Sequence, residues 1–401
     1  MNISSNKIKH NNWRIIFGVW LIYFSFGFCI GSMSPLVHFI TNDLSISYKK
    51  MGIILGSWQF VYILCAIPAG HILDKFSYKK CLLIASIIMS LSLLCRSLSI
   101  DFHQILLAVS LFGLGGSIIS VGIPKIANTY FTGKSKMIIM GILMTGPALG
   151  SVICLTITSL IFLPIYNDNW RSILFIYSFL PLICGLTWII LNINKSDIKI
   201  QNETFSIREQ INTINLFIKN KRIFLILILA ISAFYLNHGI GNWLPKILIS
   251  KGISISSASL LAAIPIFIGI FSALILPRFA IAKRRFYILI YLFLNAIFAL
   301  ILLQNTSLIY LLAGLVFLGI TTGSLIVILL THLTDTNIIN KKQSGLSGGL
   351  FFTMAEIGGI LGPFSIGLIY DYTNDFNNAL YFFSIVFLCM LIPLLLLRKL
   401  D

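Results

Sequence analysis

One acidic side chain lies deep inside an apolar run of this 401-residue chain. Glu356 falls about 12 residues into the stretch that begins near Ser344, roughly 18 Å along a helix at 1.5 Å per residue. A carboxylate removed from water is costly without a partner. Burial favours its neutral form, so such a group can bind and release a proton or contact a solute. A structural, hydrogen-bonded acid is the other reading, and both stay open. A second polar cluster, Asn237-His238-Gly239-Ile240-Gly241-Asn242, interrupts another apolar run. Imidazole titrates near neutral pH, so His238 either shares a proton relay with Glu356 or is a hydrogen-bonded core histidine. Gln59, Thr145, Thr321, Thr322 and Thr353 are lesser candidates, each equally able to bond between helices. Lys125 either snorkels to an interface or faces a solute as a countercharge. Arg96 and Lys246 lie near the ends of their runs and are expected to snorkel. Trp58, Tyr62, Phe24 and Phe28 are aromatic side chains that could line a small pocket.

The elements that hold these groups follow from composition. The chain is 58% hydrophobic and 10% charged, against about 25% charged in a soluble domain. A water-soluble fold of this size cannot hide so much apolar surface, so a multi-pass membrane protein is expected. Seven cysteines show no CxxC or metal spacing. No nucleophile–base set and no Walker motif is present, so an enzyme, a bound metal and a cofactor are not expected. A charge-free run from Ile15 to Asn42 follows Lys7, Lys9 and Arg14. It is too long for a signal-peptide core and is read as an uncleaved first span.

A spanning helix needs about 20 mostly apolar residues. Twelve segments qualify, near 14–38, 49–73, 80–97, 104–128, 137–163, 171–194, 222–248, 257–277, 286–303, 308–332, 344–370 and 377–397. Pro35 and Pro245 are expected to end spans 1 and 7. The longest polar stretch, 195–221, separates a six-helix half (1–194) from a second (222–401) and includes a possible amphipathic helix over 205–218. With the N-terminus inside and alternating spans, only Lys49, Lys50, Arg96, Arg171, Lys246 and Lys251 of the 29 Lys and Arg fall outside. Acidic residues show no such bias. This is the positive-inside pattern, so both termini are cytoplasmic. It also explains the net charge of +17 without a nucleic-acid partner.

The halves echo each other. Leu44-Ser45-Ile46-Ser47 precedes span 2 and Ile253-Ser254-Ile255-Ser256 precedes span 8. Gly141, Thr145 and Gly150 of span 5 lie over Gly349, Thr353 and Gly358 of span 11. Between spans 2 and 3 runs Gly70-His71-Ile72-Leu73-Asp74-Lys75-Phe76-Ser77-Tyr78-Lys79-Lys80. It resembles the major facilitator superfamily signature G-x-x-x-D-[RK]-x-G-[RK]-[RK], with Ser77 for the second Gly and the basic pair one place later. The resemblance covers essentially the whole chain. It implies an all-α fold of two six-helix bundles, in which Asp74 meets the N-terminal end of span 11. Lys75, Lys79 and Lys80 would then form a cytoplasmic gate cluster. Gly70 would let span 2 approach a neighbour closely. The equivalent loop of the second half, ending Lys283-Arg284-Arg285, lacks the acid, so an asymmetric gate is expected.

Gly146-Pro147-Ala148-Leu149-Gly150 is similar to part of the antiporter motif G-P-x-x-G-G, and Gly358 to Gly362-Pro363 echoes it in span 11. Both read as packing and hinge points. Gly122-Ile123-Pro124-Lys125 and Trp243-Leu244-Pro245-Lys246 look similar to the branch of cyanate and nitrate/nitrite porters.

The resemblance implies a secondary transporter in the plasma membrane (the inner membrane of a bacterium), moving a small organic solute by alternating access. Glu356 adds protons as a coupling partner. With no secure mid-membrane Arg or Lys, a neutral or cationic solute is favoured. A small-anion or organic-anion porter, and a solute receptor on the same scaffold, are the alternatives. A monomer in the lipid bilayer is expected.

Overall fold

The computed structural model describes residues 13–131, 133–193, 207–336 and 344–400. Twelve helices in it are long and apolar enough to cross a membrane, and no strand occurs among the described residues. They are span 1 (Trp13–Asp43), span 2 (Tyr48–Leu73), span 3 (Tyr78–Ser97), span 4 (Phe102–Ile126), span 5 (Ile138–Ile165) and span 6 (Trp170–Leu191). The second six are span 7 (Lys221–Ser250), span 8 (Ile255–Arg278), span 9 (Ala282–Leu302), span 10 (Leu308–Thr334), span 11 (Leu346–Thr373) and span 12 (Phe376–Arg398). Residues 303–307 part spans 9 and 10, at the polar cluster Gln304-Asn305-Thr306-Ser307. A separate helix, Ile207–Lys219, precedes span 7.

The two prolines behave differently from expectation. Pro245 sits inside span 7, which stays helical to Ser250. Pro35 does not end span 1 but lies in a 3-10 turn, Ser34–Leu36, between helices Trp13–Gly31 and Val37–Asp43. Helix ends leave carbonyls without intrahelical partners. At this break Ser32 Oγ donates to Cys29 O at 2.7 Å. Arg96 of span 3 reaches the same place, with Nη1 3.3 Å from Ser32 Oγ and 3.5 Å from Cys29 O. Its guanidinium also lies 5.5 Å from the Phe112 ring. Arg96 therefore does not snorkel: it is 1% exposed. A cation at a helix C-terminal end meets the negative end of the helix dipole.

Residues group by contact into two compact units, Met1–Met33 with Val61–Asn202, and Ser34–Phe60 with Glu203–Asp401. In the first, span 1 packs on span 5, span 3 on span 4, and span 6 on spans 3 and 1. In the second, span 7 packs on span 11, span 9 on span 10, and span 12 on spans 9 and 7. The same pairings thus recur six helices later.

Glycine makes the tightest pairings possible. A Cβ on Gly150 would stand 2.1 Å from Phe24 O, and one on Gly27 2.0 Å from Pro147 O; Gly146 also lies against span 1, 3.1 Å from Phe24 N by the same measure. Across spans 7 and 11, a Cβ on Gly358 would meet Ile231 O at 1.9 Å and one on Gly362 would meet Tyr235 O at 2.4 Å. The indole Nε1 of Trp243 donates to Pro363 O at 3.0 Å in the same seam. Backbone contact of this kind drives association where the surrounding lipid is as apolar as the side chains.

Candidate functional site

Span 2 enters the second unit along a regular seam. Gly52 and Gly56 face span 11, where added Cβ atoms would meet Pro363 O at 2.5 Å and Ile360 O at 3.0 Å. The spacing of four places these residues on one helix face, and Gln59, three residues on, continues it. Span 11 answers in reverse order with Pro363, Ile360, Gly359 and Glu356, so the seam delivers Gln59 to Glu356. The small-x-x-x-small spacing of Gly52 and Gly56 is a signal in the sequence for this contact, one that a search for apolar runs does not use.

Three polar side chains converge at Gly359. A Cβ there would lie 2.6 Å from Glu356 Oε2, 3.1 Å from Gln59 Cγ and 3.2 Å from His238 Cδ2. Only glycine leaves the space in which they meet. His238 Nε2 stands 3.8 Å from Glu356 Oε2, within ion-pair range but beyond a direct hydrogen bond. The rings of Trp58 and Phe234 meet the imidazole edge-on, at centroid distances of 5.7 and 5.3 Å. Glu356 is 5% exposed and Gln59 fully buried. Glu356 Oε2 and both amide atoms of Gln59 lack a hydrogen-bond partner among the described residues. Buried polar atoms are normally satisfied, so these three orphans make the Gly359 neighbourhood the candidate for contact with another group.

The sequence candidates divide. Glu356, His238 and Gln59 are brought together. Asn237, Asn242 and Thr353 do not hydrogen-bond to them; Asn242 and Thr353 lie one helical turn from His238 and Glu356. Span 7 stays helical through its polar cluster. Thr321 is structural, accepting from Asn295 Nδ2 at 2.8 Å, and Thr145 accepts from Trp20 Nε1 at 3.1 Å. Lys125 Nζ donates to Gly70 O at 3.0 Å, tying span 4 to span 2. Lys246 does not snorkel freely: its Nζ is 2.9 Å from His38 Nδ1 and 5.6 Å from the Tyr48 ring centroid.

At the Gly70–Lys80 motif, a Cβ on Gly70 would have nothing nearer than 4.0 Å. The close approach of span 2 occurs at Gly52 and Gly56 instead. Lys75 and Lys80 are exposed and Lys79 is half-buried. The side chains of Asp74 and Ser344 lie outside what is described, so the gate contact expected there is not seen. In the second half, the Lys283-Arg284-Arg285 loop meets Asp335, which follows span 10. Asp335 pairs with the buried Arg285, whose Nε also donates to Ala280 O at 3.3 Å.

One contact left no trace in the sequence. Asp371, at the far end of span 11, caps the start of span 2. Its two carboxylate oxygens accept from Tyr48 N at 2.9 Å and Lys49 N at 2.8 Å. A Cβ on Gly367 would stand 2.1 Å from Tyr48 O, and the Tyr48 and Tyr370 rings lie 4.4 Å apart. No spacing rule pairs a helix start with a carboxylate more than three hundred residues away.

Among the described residues no group of three His, Cys, Asp or Glu converges as a metal site would require. None of the seven cysteines is in a disulfide.

Known proteins match the chain at the level of family, sequence and fold. The Major Facilitator Superfamily model matches residues 19–363. The Hexuronate transporter of Bacillus subtilis (strain 168) is 25% identical over 372 residues, 87% of this chain and 85% of its own. The Probable galactarate/D-glucarate transporter GudP of Escherichia coli K12 is 21% identical over 388 residues, 86% of this chain and 84% of its own. Among solved structures, the nucleoside transporter NupG matches with a TM-score of 0.77 at 13% identity, covering 97% of this chain and 99% of that one.

Proposed function

The chain belongs to the Major Facilitator Superfamily and is an integral membrane transporter, and from that premise we propose that it carries small organic carboxylates by alternating access, coupled to protons through Glu356 and His238. What supports the carboxylate assignment is the identity with the hexuronate transporter over most of both chains. It favours the organic-anion reading over the neutral or cationic solute that the charges alone suggested. The proton assignment rests on the buried Glu356–His238 pair.

The pair gives coupling a simple logic. An ionised Glu356 repels an arriving carboxylate, since like charges in low dielectric disfavour each other. A protonated Glu356 removes the repulsion and becomes a hydrogen-bond donor to the solute. His238 is placed to take the proton or return it; 3.8 Å leaves a short shift or one bridging water between them. A monocarboxylate and one proton cross as a neutral sum, so the membrane potential, worth about 2.3 kcal/mol per charge per 100 mV, does not oppose them. The central polypeptide 195–221 is proposed to join two six-helix halves, 1–194 and 222–401, whose rocking gives alternating access.

Purified protein in proteoliposomes tests the reading. Counterflow of radiolabelled glucuronate at equal pH should occur, and an inward proton gradient should speed uptake, with a protonophore abolishing the gain. Exchange of amines or neutral sugars but not of carboxylates would refute the substrate assignment. Carboxylate uptake indifferent to the gradient would refute the coupling.

A further inference from the structure

We propose that Gln59 reads hydroxyl groups on the carried compound, which makes that compound a polyhydroxylated carboxylate with a hydroxyl close to its acid group. The proposal rests on the carboxylate reading above and adds a recognition element to it. Gln59 is fully buried, yet neither Nε2 nor Oε1 has a partner among the described residues. An apolar side chain of the same length would fill that place with no polar atom to satisfy. The amide therefore needs a reason.

Its chemistry selects the ligand. A carboxylate accepts hydrogen bonds and offers none, so a cation or plain donor serves it. A hydroxyl both donates and accepts. The side-chain amide has two N–H donors and a carbonyl acceptor side by side, which matches one or two neighbouring hydroxyls. Glu356 in its protonated form, with His238, takes the carboxylate end.

The register is fixed by the backbone. Gln59 Cγ and Glu356 Oε2 lie 3.1 and 2.6 Å from the same point above Gly359, so the two side chains are immediate neighbours. On the proposal, the amide and the acid address adjacent functional groups of one small molecule. The glycine seam of Gly52 and Gly56 and the Asp371 cap hold span 2 against sliding along span 11, so the amide stays beside the acid. Trp58, next in sequence, puts its ring against His238 on the same side.

The test uses purified full-length protein in proteoliposomes with two ring-sized probes. Glucuronate carries a carboxylate and hydroxyls; cyclohexanecarboxylate carries the carboxylate alone. Wild type should prefer glucuronate, and Gln59→Met should cut the kcat/KM ratio of glucuronate to cyclohexanecarboxylate at least tenfold. Gln59→Leu serves as a second variant, with monodispersity in detergent as the folding check. Wild type's own preference needs no variant, so the proposal is exposed even if both fail to fold. Carboxylates transported without regard to hydroxyls, or an unchanged ratio in the variants, would overturn the role of Gln59 alone. Transport of neither probe nor of other carboxylates would overturn the carboxylate reading and this one with it.

Discussion

Asp371→Ala should loosen the start of span 2 from span 11 by a calculable amount. The carboxylate accepts from two backbone N–H groups, at 2.9 and 2.8 Å, that the helix cannot satisfy itself. Loss of a side-chain cap typically costs about 1 kcal/mol. The negative charge at the positive end of a helix adds about 0.3–1 kcal/mol. Asp371 is itself exposed, so screening argues for the lower end of that second range. The sum is about 1.4 kcal/mol, or roughly tenfold in the equilibrium between the held and released arrangements. The readout is a cysteine placed at Met51, one turn in and fully buried. The background would lack the exposed Cys95 and Cys389 and the half-buried Cys65. Labelling by an impermeant maleimide should be about tenfold faster with Asp371→Ala. Asp371→Asn keeps one acceptor and should fall between. A labelling rate within twofold of the parent would refute the reasoning. It would mean that the glycine seam and the Tyr48 aromatic contacts hold the two helices without the cap.

Glu356→Gln keeps the shape of the side chain and removes its proton exchange; proton-driven accumulation should disappear while equal-pH exchange stays measurable, and unchanged accumulation would remove Glu356 from coupling. Asp74→Asn should slow turnover with little change in substrate affinity by thermal shift; a loss confined to affinity would argue against a gate. For Arg285 and Asp335, Asp335→Ala should lower the melting temperature in detergent by leaving a buried guanidinium without its carboxylate. Arg285→Met with Asp335→Leu should recover most of the loss, and strictly additive losses would show that the two do not act as a pair.

How far the sequence carried depended on whether a feature was local. The spans were legible because each is an apolar run longer than a bilayer is thick, bounded by polar clusters such as Gln304-Asn305-Thr306-Ser307. Glu356 stood out as the one acid deep in such a run, and His238 as part of a polar cluster in another. Their partnership is not legible in the sequence, because helix neighbours in a bundle have no fixed separation along the chain. Proline alone did not settle span ends. Pro245 is carried within a continuous helix, whereas Pro35 falls beside Gly31 and Ser32, where a guanidinium from span 3 meets the freed carbonyl. Arg96 departs from expectation for the same reason: its nearness to a span end suggests water, but its partner is a backbone oxygen with no sequence signature. Nothing in the sequence sets Asp335 or Asp371 apart from the other acidic residues at span ends. Each acquires its meaning only from the helix it meets.

The contact of Arg96 with the break in span 1 also bears on how the protein is made. A bare arginine is an expensive passenger for a helix leaving the translocon, about 2.5–3.5 kcal/mol at the centre of a span and less toward its ends. Synthesis runs from the N-terminus, so Cys29 and Ser32 are already in the membrane when Arg96 emerges, and Phe112 follows one helix later. The cation thus finds its carbonyl and hydroxyl waiting and receives its aromatic cover last. The cost of carrying Arg96 in span 3 is thereby tied to the shape of span 1: without the break at Gly31, the guanidinium would lose its carbonyl and hydroxyl partners.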